Sequence, residues 1–319
     1  MLNSEKLLTN LRRFRQTSGR LETSLWPIKR RAAVLVLLFI GSRGELRVLL
    51  TKRSRGLKSF SGHVSLPGGK ADSETEMLEE MARRESEEEI GLPRDDKQLL
   101  GKYGMKIDKI STRMPFFLSR TFLSVNPMVC FLYSSQCNER DKYLKPLDGL
   151  RSFGKLNPGE TSSIFSIPII DLIAHGDKWK DYSPEYLNFT IANRRWGGLP
   201  WEVRHYFYPQ DNMNDSKWLN DISDQSSCDD EHLGTPCKIV WGLTAKILHS
   251  LACIAVGEHS LNYGHNDLIY ALYELGDQMK DTERSQWEVG MSNGGKGFKY
   301  KDVLPRYYHD ALLQRGYAF

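Results

Sequence analysis

The 319-residue sequence has no C-x-x-C pair, no internal repeat and no apolar stretch of membrane-spanning length. Its five cysteines, at 130, 137, 228, 237 and 253, are odd in number and scattered. That excludes a full disulfide framework and a zinc ribbon, and it places the thiols in a reducing compartment. The longest strongly apolar run, Ala32 to Ile40, is nine residues. A helix that crosses a bilayer needs ~20, so the expectation is a soluble chain with no membrane partner. Charge of one sign is also scarce: 44 Lys and Arg stand against 40 Asp and Glu, a balance of +4. Such a balance argues against a dedicated nucleic-acid or membrane-surface binder. No Ser/His/Asp or Cys/His arrangement points to covalent catalysis, and His205 has no companion at metal or triad spacing. Nothing in the sequence signals an oligomeric state.

The small net charge conceals three charged blocks. Residues 1–31 hold eight basic and two acidic side chains, residues 72–89 two basic and nine acidic, and residues 211–231 one basic and seven acidic. Residues 1–27 read as a solvated basic extension. Leu7, Leu8, Leu11 and Phe14 have the spacing of a short amphipathic helix there, and the Arg-rich start also suits an organelle transit segment. Ala32–Ile40 and Glu45–Leu50, parted by the Gly41-Ser42-Arg43-Gly44 turn, predict an antiparallel strand pair, with further strands at Met128–Tyr133 and Ile164–Ile170. Residues 74–90 predict a helix with Ser73 and Glu76 in capping-box register and Gly91 and Pro93 as its stop. Gln210–Pro236, rich in Asp, Asn and Ser, reads as a mobile acidic insertion, and Ile239–Val256 as one long apolar helix. Cys130 and Cys253 read as buried core thiols. Strands around a helix in mixed order suggest an α/β or α+β sandwich.

The chemistry is concentrated in one segment. On a helix, Glu85, Glu88 and Glu89 stand at i, i+3 and i+4, so three carboxylates share a face and repel each other. A divalent cation relieves that repulsion, and hard oxygen ligands suit Mg²⁺ or Mn²⁺ rather than Zn²⁺. Most glutamate runs are only solvated helix faces. The context decides here: Gly68-Gly69 before the helix, Arg84 directly before Glu85, and Gly91 after the last carboxylate. Arg84 can also pair with Glu88 at i+4.

This arrangement resembles the Nudix box, G-x5-E-x7-R-E-U-x-E-E-x-G-U, in which U is apolar. Arg84-Glu85, Glu88-Glu89 and Gly91-Leu92 match in register, and Glu76 sits eight residues before Arg84. The gap from Gly69 to Glu76 is one residue longer than the general pattern, and Ser86 replaces an apolar residue. The longer gap is similar to that of the coenzyme A diphosphatase branch, whose upstream signature is L-L-T-x-R-S-x3-R-x3-G-x3-F-P-G-G. Here the chain reads Leu49-Leu50-Thr51-Lys52-Arg53-Ser54, then Lys58, Gly62 and Leu66-Pro67-Gly68-Gly69. Lys58 replaces Arg and Leu66 replaces Phe. Asn157-Pro158-Gly159-Glu160 and Val240-Trp241-Gly242-Leu243-Thr244-Ala245 also look like this branch. The resemblance spans about residues 28 to 255, and fungal peroxisomal members are the nearest likeness.

The resemblance implies a Nudix α/β/α sandwich with a mixed β-sheet over residues 28–257, an N-terminal extension over 1–27 and a C-terminal helical extension over 258–319. It implies hydrolysis of coenzyme A, its disulfide or acyl-coenzyme A to 3′,5′-ADP and 4′-phosphopantetheine or its acyl form. Glu85, Glu88 and Glu89, with the backbone carbonyl of Gly68, would hold Mg²⁺ or Mn²⁺, and Arg84 would steady the carboxylates. The general base would be one of the box glutamates or Glu160. Arg53 and Lys58 would meet the diphosphate or the ribose 3′-phosphate, Gly62 would allow a close backbone turn, and Lys70 would lie with them on the substrate side. Trp196, Trp201, Tyr206 and Tyr208 read as core, with stacking on adenine or lining of a pantetheine channel as the alternative. Other readings are a diphosphatase that clears oxidised nucleotides such as 8-oxo-dGTP, a silent Nudix binding module and an RNA-decapping enzyme. All three box glutamates are present, against the silent module, and no long basic tract serves an RNA channel. The resemblance implies a peroxisomal location, although the chain ends Tyr317-Ala318-Phe319 rather than in an S-K-L-type address; the basic start leaves a mitochondrial location open, beside a cytoplasmic one.

Overall fold

Residues 31–40 form a strand buried on both faces, which is why the run is continuously apolar instead of alternating. Ala33, Leu35, Leu37 and Phe39 enter one core, and Ala32, Val36, Leu38 and Ile40 the other. The computed structural model describes residues 3–15, 26–57, 60–147, 153, 155–157, 159–175, 177–220, 230–258, 263–294 and 296–314. In chain order, α1 (Ser4–Arg13) precedes β1 (Arg31–Ile40), β2 (Leu46–Arg53), β3 (Val64–Ser65), β4 (Gly68–Lys70), α2 (Leu78–Ile90) and α3 (Asp96–Tyr103). Strands β5 (Met105–Ser111), β6 (Phe117–Leu118), β7 (Ser124–Ser134) and β8 (Thr161–Pro168) complete the first sheet. Then follow β9 (Asn188–Trp196), β10 (Leu199–Pro209), α4 (Lys217–Asn220), β11 (Glu231–His232), β12 (Thr235–Trp241), α5 (Gly242–Val256), α6 (Asn266–Tyr270), α7 (Gln286–Ser292) and α8 (Arg306–Gln314).

The first sheet is mixed. β1 pairs parallel with β7 and antiparallel with β2 and β4, and β8 runs antiparallel along β2. Residues of α2 and α3, among them Met81, Ala82 and Leu99, cover one face. The opposite face is covered by α1 through Leu7, Leu8 and Leu11 and by α5 through Ile247, Leu248 and Leu251. This is the α/β/α sandwich expected from the sequence. β9, β10, β12 and β11 build a second, antiparallel sheet. A third core joins Trp26, Leu118, Phe122 and Leu199 to Leu268, Leu272, Met291, Tyr300 and Leu312 of the last helices. No described helix is long and apolar enough to cross a membrane.

Several local expectations are corrected. The described part of the basic N-terminal block is no solvated tail: α1 forms at the amphipathic spacing and buries its leucines against α5. The helix expected from residue 74 begins at Leu78, where the Glu80 carboxylate accepts the Met77 N–H at 2.9 Å. Ser73 and Glu76 do not cap it, because Glu76 is engaged by Arg84. Ile239 and Val240 belong to β12, and the helix begins after them at Gly242, whose φ of +61° marks the break. The described start of the acidic segment is packed rather than loose: Ser216, Trp218 and Leu219 are buried, and Asp215 accepts hydrogen bonds from Ser166. Residues 221–229 of that segment lie outside the described residues. Cys130 and Cys253 are buried as expected.

Candidate active site

The edge of β1 is shared between two partners: Leu38–Ile40 pair with β2, and Ala32–Val34 with β4. β2 therefore parts from β1 beyond Val48 and ends at Arg53, while β4 lies along the vacated edge. The glycines of β4 are required by proximity. A Cβ on Gly68, at φ +149°, would collide with the Ala33 carbonyl and the Val34 backbone, and one on Gly69 would collide with the Glu85 carboxylate.

Arg84 organises the following helix. Its Nε donates to Glu76 Oε1 at 2.8 Å, Nη2 to the Lys70 carbonyl at 2.9 Å, and Nη1 to Glu85 at 3.1 Å and Glu88 at 3.4 Å. Burial alone would raise the Glu76 carboxyl, but the Arg84 guanidinium and the Asp72 N–H hold it below the ordinary carboxylate range. The i+4 pair expected between Arg84 and Glu88 forms, yet Glu76 is the stronger partner. Ser86, the departure from the apolar pattern, is fully buried and donates its hydroxyl to the Ala82 carbonyl at 2.6 Å, so its polarity is satisfied inside the helix.

Glu89 is 4% exposed and Glu88 about half exposed at 49%. Glu89 Oε2 accepts the Gly68 N–H at 3.1 Å, and Oε1 lies 3.7 Å from Arg53 Nη1. Burial pushes the Glu89 carboxyl up to about 8, against the Gly68 N–H and Arg53, with Glu85 and Glu160 adding to the rise. Burial likewise raises Glu85. Glu160 stands at the turn into β8, and its carbonyl accepts the Ser54 N–H at 2.8 Å, beside Arg53.

The structure thus brings Arg53, Glu85, Glu89, Glu160 and Gly68 together and leaves Glu88 toward solvent beside Arg84. Lys70 contributes its carbonyl to Arg84, while its side chain is exposed. Gly62 has φ +72° in a tight turn with Phe60. Lys58 lies outside the described residues. Tyr206 and Tyr208 are core residues, and Trp196 and Trp201 pack against the third core. His205 stacks on Trp241 as a structural ring. Sequence reasoning passed over His63 and Trp241, whose rings meet beside Arg53; the signal was their position inside the two flanking motifs.

Among the described residues no three acidic, His or Cys side chains close into a metal cage. The donors nevertheless fit a hard divalent cation. Glu89 is a buried carboxyl that meets one N–H and a distant guanidinium and is pushed toward its protonated form, and Glu85 is raised beside it; a cation in place of the proton relieves the cost of ionising them.

A family model described as the NUDIX domain matches residues 29–180. Over 328 residues the chain is 49% identical to a Saccharomyces cerevisiae protein named peroxisomal coenzyme A diphosphatase 1, with 98% of this chain and 96% of that relative covered. The chain belongs to the Nudix hydrolases. These enzymes generally require divalent metal ions, in agreement with the donor set. An Arabidopsis thaliana relative, Nudix hydrolase 15, mitochondrial, is 33% identical over 70% of this chain and 58% of its own length. A Nudix hydrolase structure from Alicyclobacillus acidocaldarius aligns with 46% of this chain and 82% of its own, at 18% identity and a TM-score of 0.29. The Nudix model ends before β9, so the second sheet and the C-terminal helices lie outside it.

Proposed function

We propose that this Nudix hydrolase cleaves the diphosphate bond of coenzyme A, its disulfide and its acyl derivatives, giving 3′,5′-ADP and 4′-phosphopantetheine or the acyl form. The observation that carries the reading is the meeting of two motifs at one point. Arg53, from the upstream signature, stands 3.7 Å from Glu89 of the carboxylate helix. The identity with the yeast relative supports the same substrate, and the name of that relative supports a peroxisomal location.

A diphosphate resists water because its negative oxygens repel nucleophiles. Glu85, Glu88 and Glu89, with the Gly68 carbonyl, would hold Mg²⁺ or Mn²⁺, which supplies charge neutralisation and activation of water. Arg53 presents a planar guanidinium to the phosphate oxygens, a geometry Lys cannot reproduce. Its Nε is buried without a hydrogen-bond partner among the described residues, so donor capacity remains at that position. Water adds its oxygen to one phosphorus, the P–O anhydride bond breaks with its electron pair leaving on the departing phosphate, and a carboxylate takes the proton. A box glutamate or Glu160 serves as that base. Arg84 positions the carboxylates without touching substrate.

The test is chromatographic detection of 3′,5′-ADP after incubating the purified chain with coenzyme A and Mg²⁺ or Mn²⁺, beside Glu88→Gln and an 8-oxo-dGTP arm. Release of 3′,5′-ADP by the wild type and its collapse in Glu88→Gln is the expected result. Cleavage of the nucleotide alone would overturn the substrate assignment.

A further inference from the structure

We infer that the aromatic row formed by Trp241, His63 and Phe60 is the seat of the adenine base of the substrate. The inference rests on the coenzyme A reading and identifies one part of that same site. Trp241, the last residue of β12, is 36% exposed, and its ring is stacked against that of its cross-strand partner His205, with centroids 5.5 Å apart and planes 7° apart. His63 lies against Trp241 at 4.9 Å, and Phe60, 49% exposed, lies 5.7 Å from His63.

This row is joined to the reacting end by short links. The Arg53 N–H donates to the His63 carbonyl at 2.9 Å, and Arg53 in turn stands 3.7 Å from Glu89. On the other side, Thr244 Oγ1 donates to the Val64 carbonyl at 3.2 Å, which fixes the first turn of α5 and therefore Trp241 against β3. An exposed indole backed by a parallel ring is a rigid π surface, and a purine stacks on such a surface whatever its charge state. The phosphates fall to Arg53. The pantetheine half of the substrate carries no aromatic ring, so the row discriminates between the two halves. Of the four aromatic residues expected as candidates for this role, Tyr206 and Tyr208 are closed off in the core, and Trp196 and Trp201 pack against the third core.

The experiment measures the affinity of the full chain for 3′,5′-ADP and for 4′-phosphopantetheine by calorimetry, together with KM and kcat for coenzyme A. Trp241→Ala is expected to weaken 3′,5′-ADP binding and raise KM about thirtyfold, at the middle of the range for loss of one base stack. The loss falls on KM rather than kcat, and the affinity for 4′-phosphopantetheine stays within about twofold. Trp241→Phe restores most of the affinity, and Phe60→Ala, at an exposed position, gives a smaller loss in the same direction. Unchanged 3′,5′-ADP affinity in Trp241→Ala would overturn the inference. So would an equal loss for both halves, which a structural role of Trp241 produces. A wild-type chain that binds 3′,5′-ADP through Trp241 but does not cleave coenzyme A would sink the proposed reaction while leaving the adenine seat standing.

Discussion

Glu89 holds the proton balance of the site. Its folded value of about 8 lies above the ordinary 4.5, so the metal-free folded protein keeps a proton that the unfolded chain has released. The corresponding stability is fully present below about pH 4.5 and is lost as pH rises toward about 8. Asp171, buried and raised to about 7 by burial, acts in the same direction away from the site. In chelator, Tm should fall between about pH 5 and 8, and Glu89→Gln should flatten that slope in part, leaving the shares of Asp171 and of the other carboxyls that burial raises, Glu85 and Asp215. Added Mg²⁺ or Mn²⁺ should raise Tm more at about pH 8 than at about pH 6, because cation and proton compete for the same oxygens. An unaltered slope in Glu89→Gln would place the titration elsewhere. Arg84 gives a second residue-level prediction. Lys keeps the charge but cannot span Glu76, Glu85, Glu88 and the Lys70 carbonyl at once. Arg84→Lys should therefore lower kcat/KM about 100-fold, the scale of a small misplacement of catalytic groups, with thermal denaturation showing the chain still folded.

Elements were legible where one physical signal acted alone. The β1–β2 hairpin followed from an apolar run, a glycine turn and a second run, and the carboxylate face of α2 from i, i+3, i+4 spacing. The Ile239–Val256 run misled because a segment apolar on every side has no period to distinguish strand from helix. The β-branched pair Ile239-Val240 before Gly242 was the available clue. The start of α2 was misplaced because Glu76, in capping register by spacing, serves Arg84 through space, a contact no local pattern reveals. Within the site, the box and the signature were readable as motifs, but the separation of Glu88 from buried Glu89 was not, since it depends on β4 lying against the helix. The same limit applied to α1: its amphipathic spacing was visible, its docking on α5 was not. That docking predicts that Leu8→Ala costs about 2–5 kcal/mol in urea unfolding, as for other fully buried leucines, whereas a solvated tail would lose almost nothing. Turnover per folded molecule should be unchanged, because α1 lies on the sheet face opposite α2.

At the scale of the whole molecule, the charged blocks find partners on the strands of the first sheet. Asp215 and Asp230 of the acidic segment lie 3.7 Å from Arg47 and Lys52, two cations buried on β2. Arg12 of the basic block lies 3.7 Å from Asp108 on β5. The C-terminal helices are bound in the same way. Leu118 and Phe122, from the segment matching the Nudix domain, share a core with Leu268 and Met291. Arg30, directly before β1, forms a 2.6 Å ion pair with Glu288 on α7, with both side chains at most 2% exposed. Glu288 also accepts the Met279 and Ser285 N–H groups, and Arg30 donates to the Asp281 and Glu283 carbonyls, so the pair ties the start of the catalytic sheet to the last third of the chain. A buried charge left without its partner costs about 3–5 kcal/mol. Glu288→Ala should therefore destabilise the catalytic region and the C-terminal helices together. Loss of diphosphatase activity and loss of near-ultraviolet circular dichroism should then coincide along one denaturant curve. Two separated transitions would show that the helices form an independent unit, and that the shared core does not couple them to the sheet.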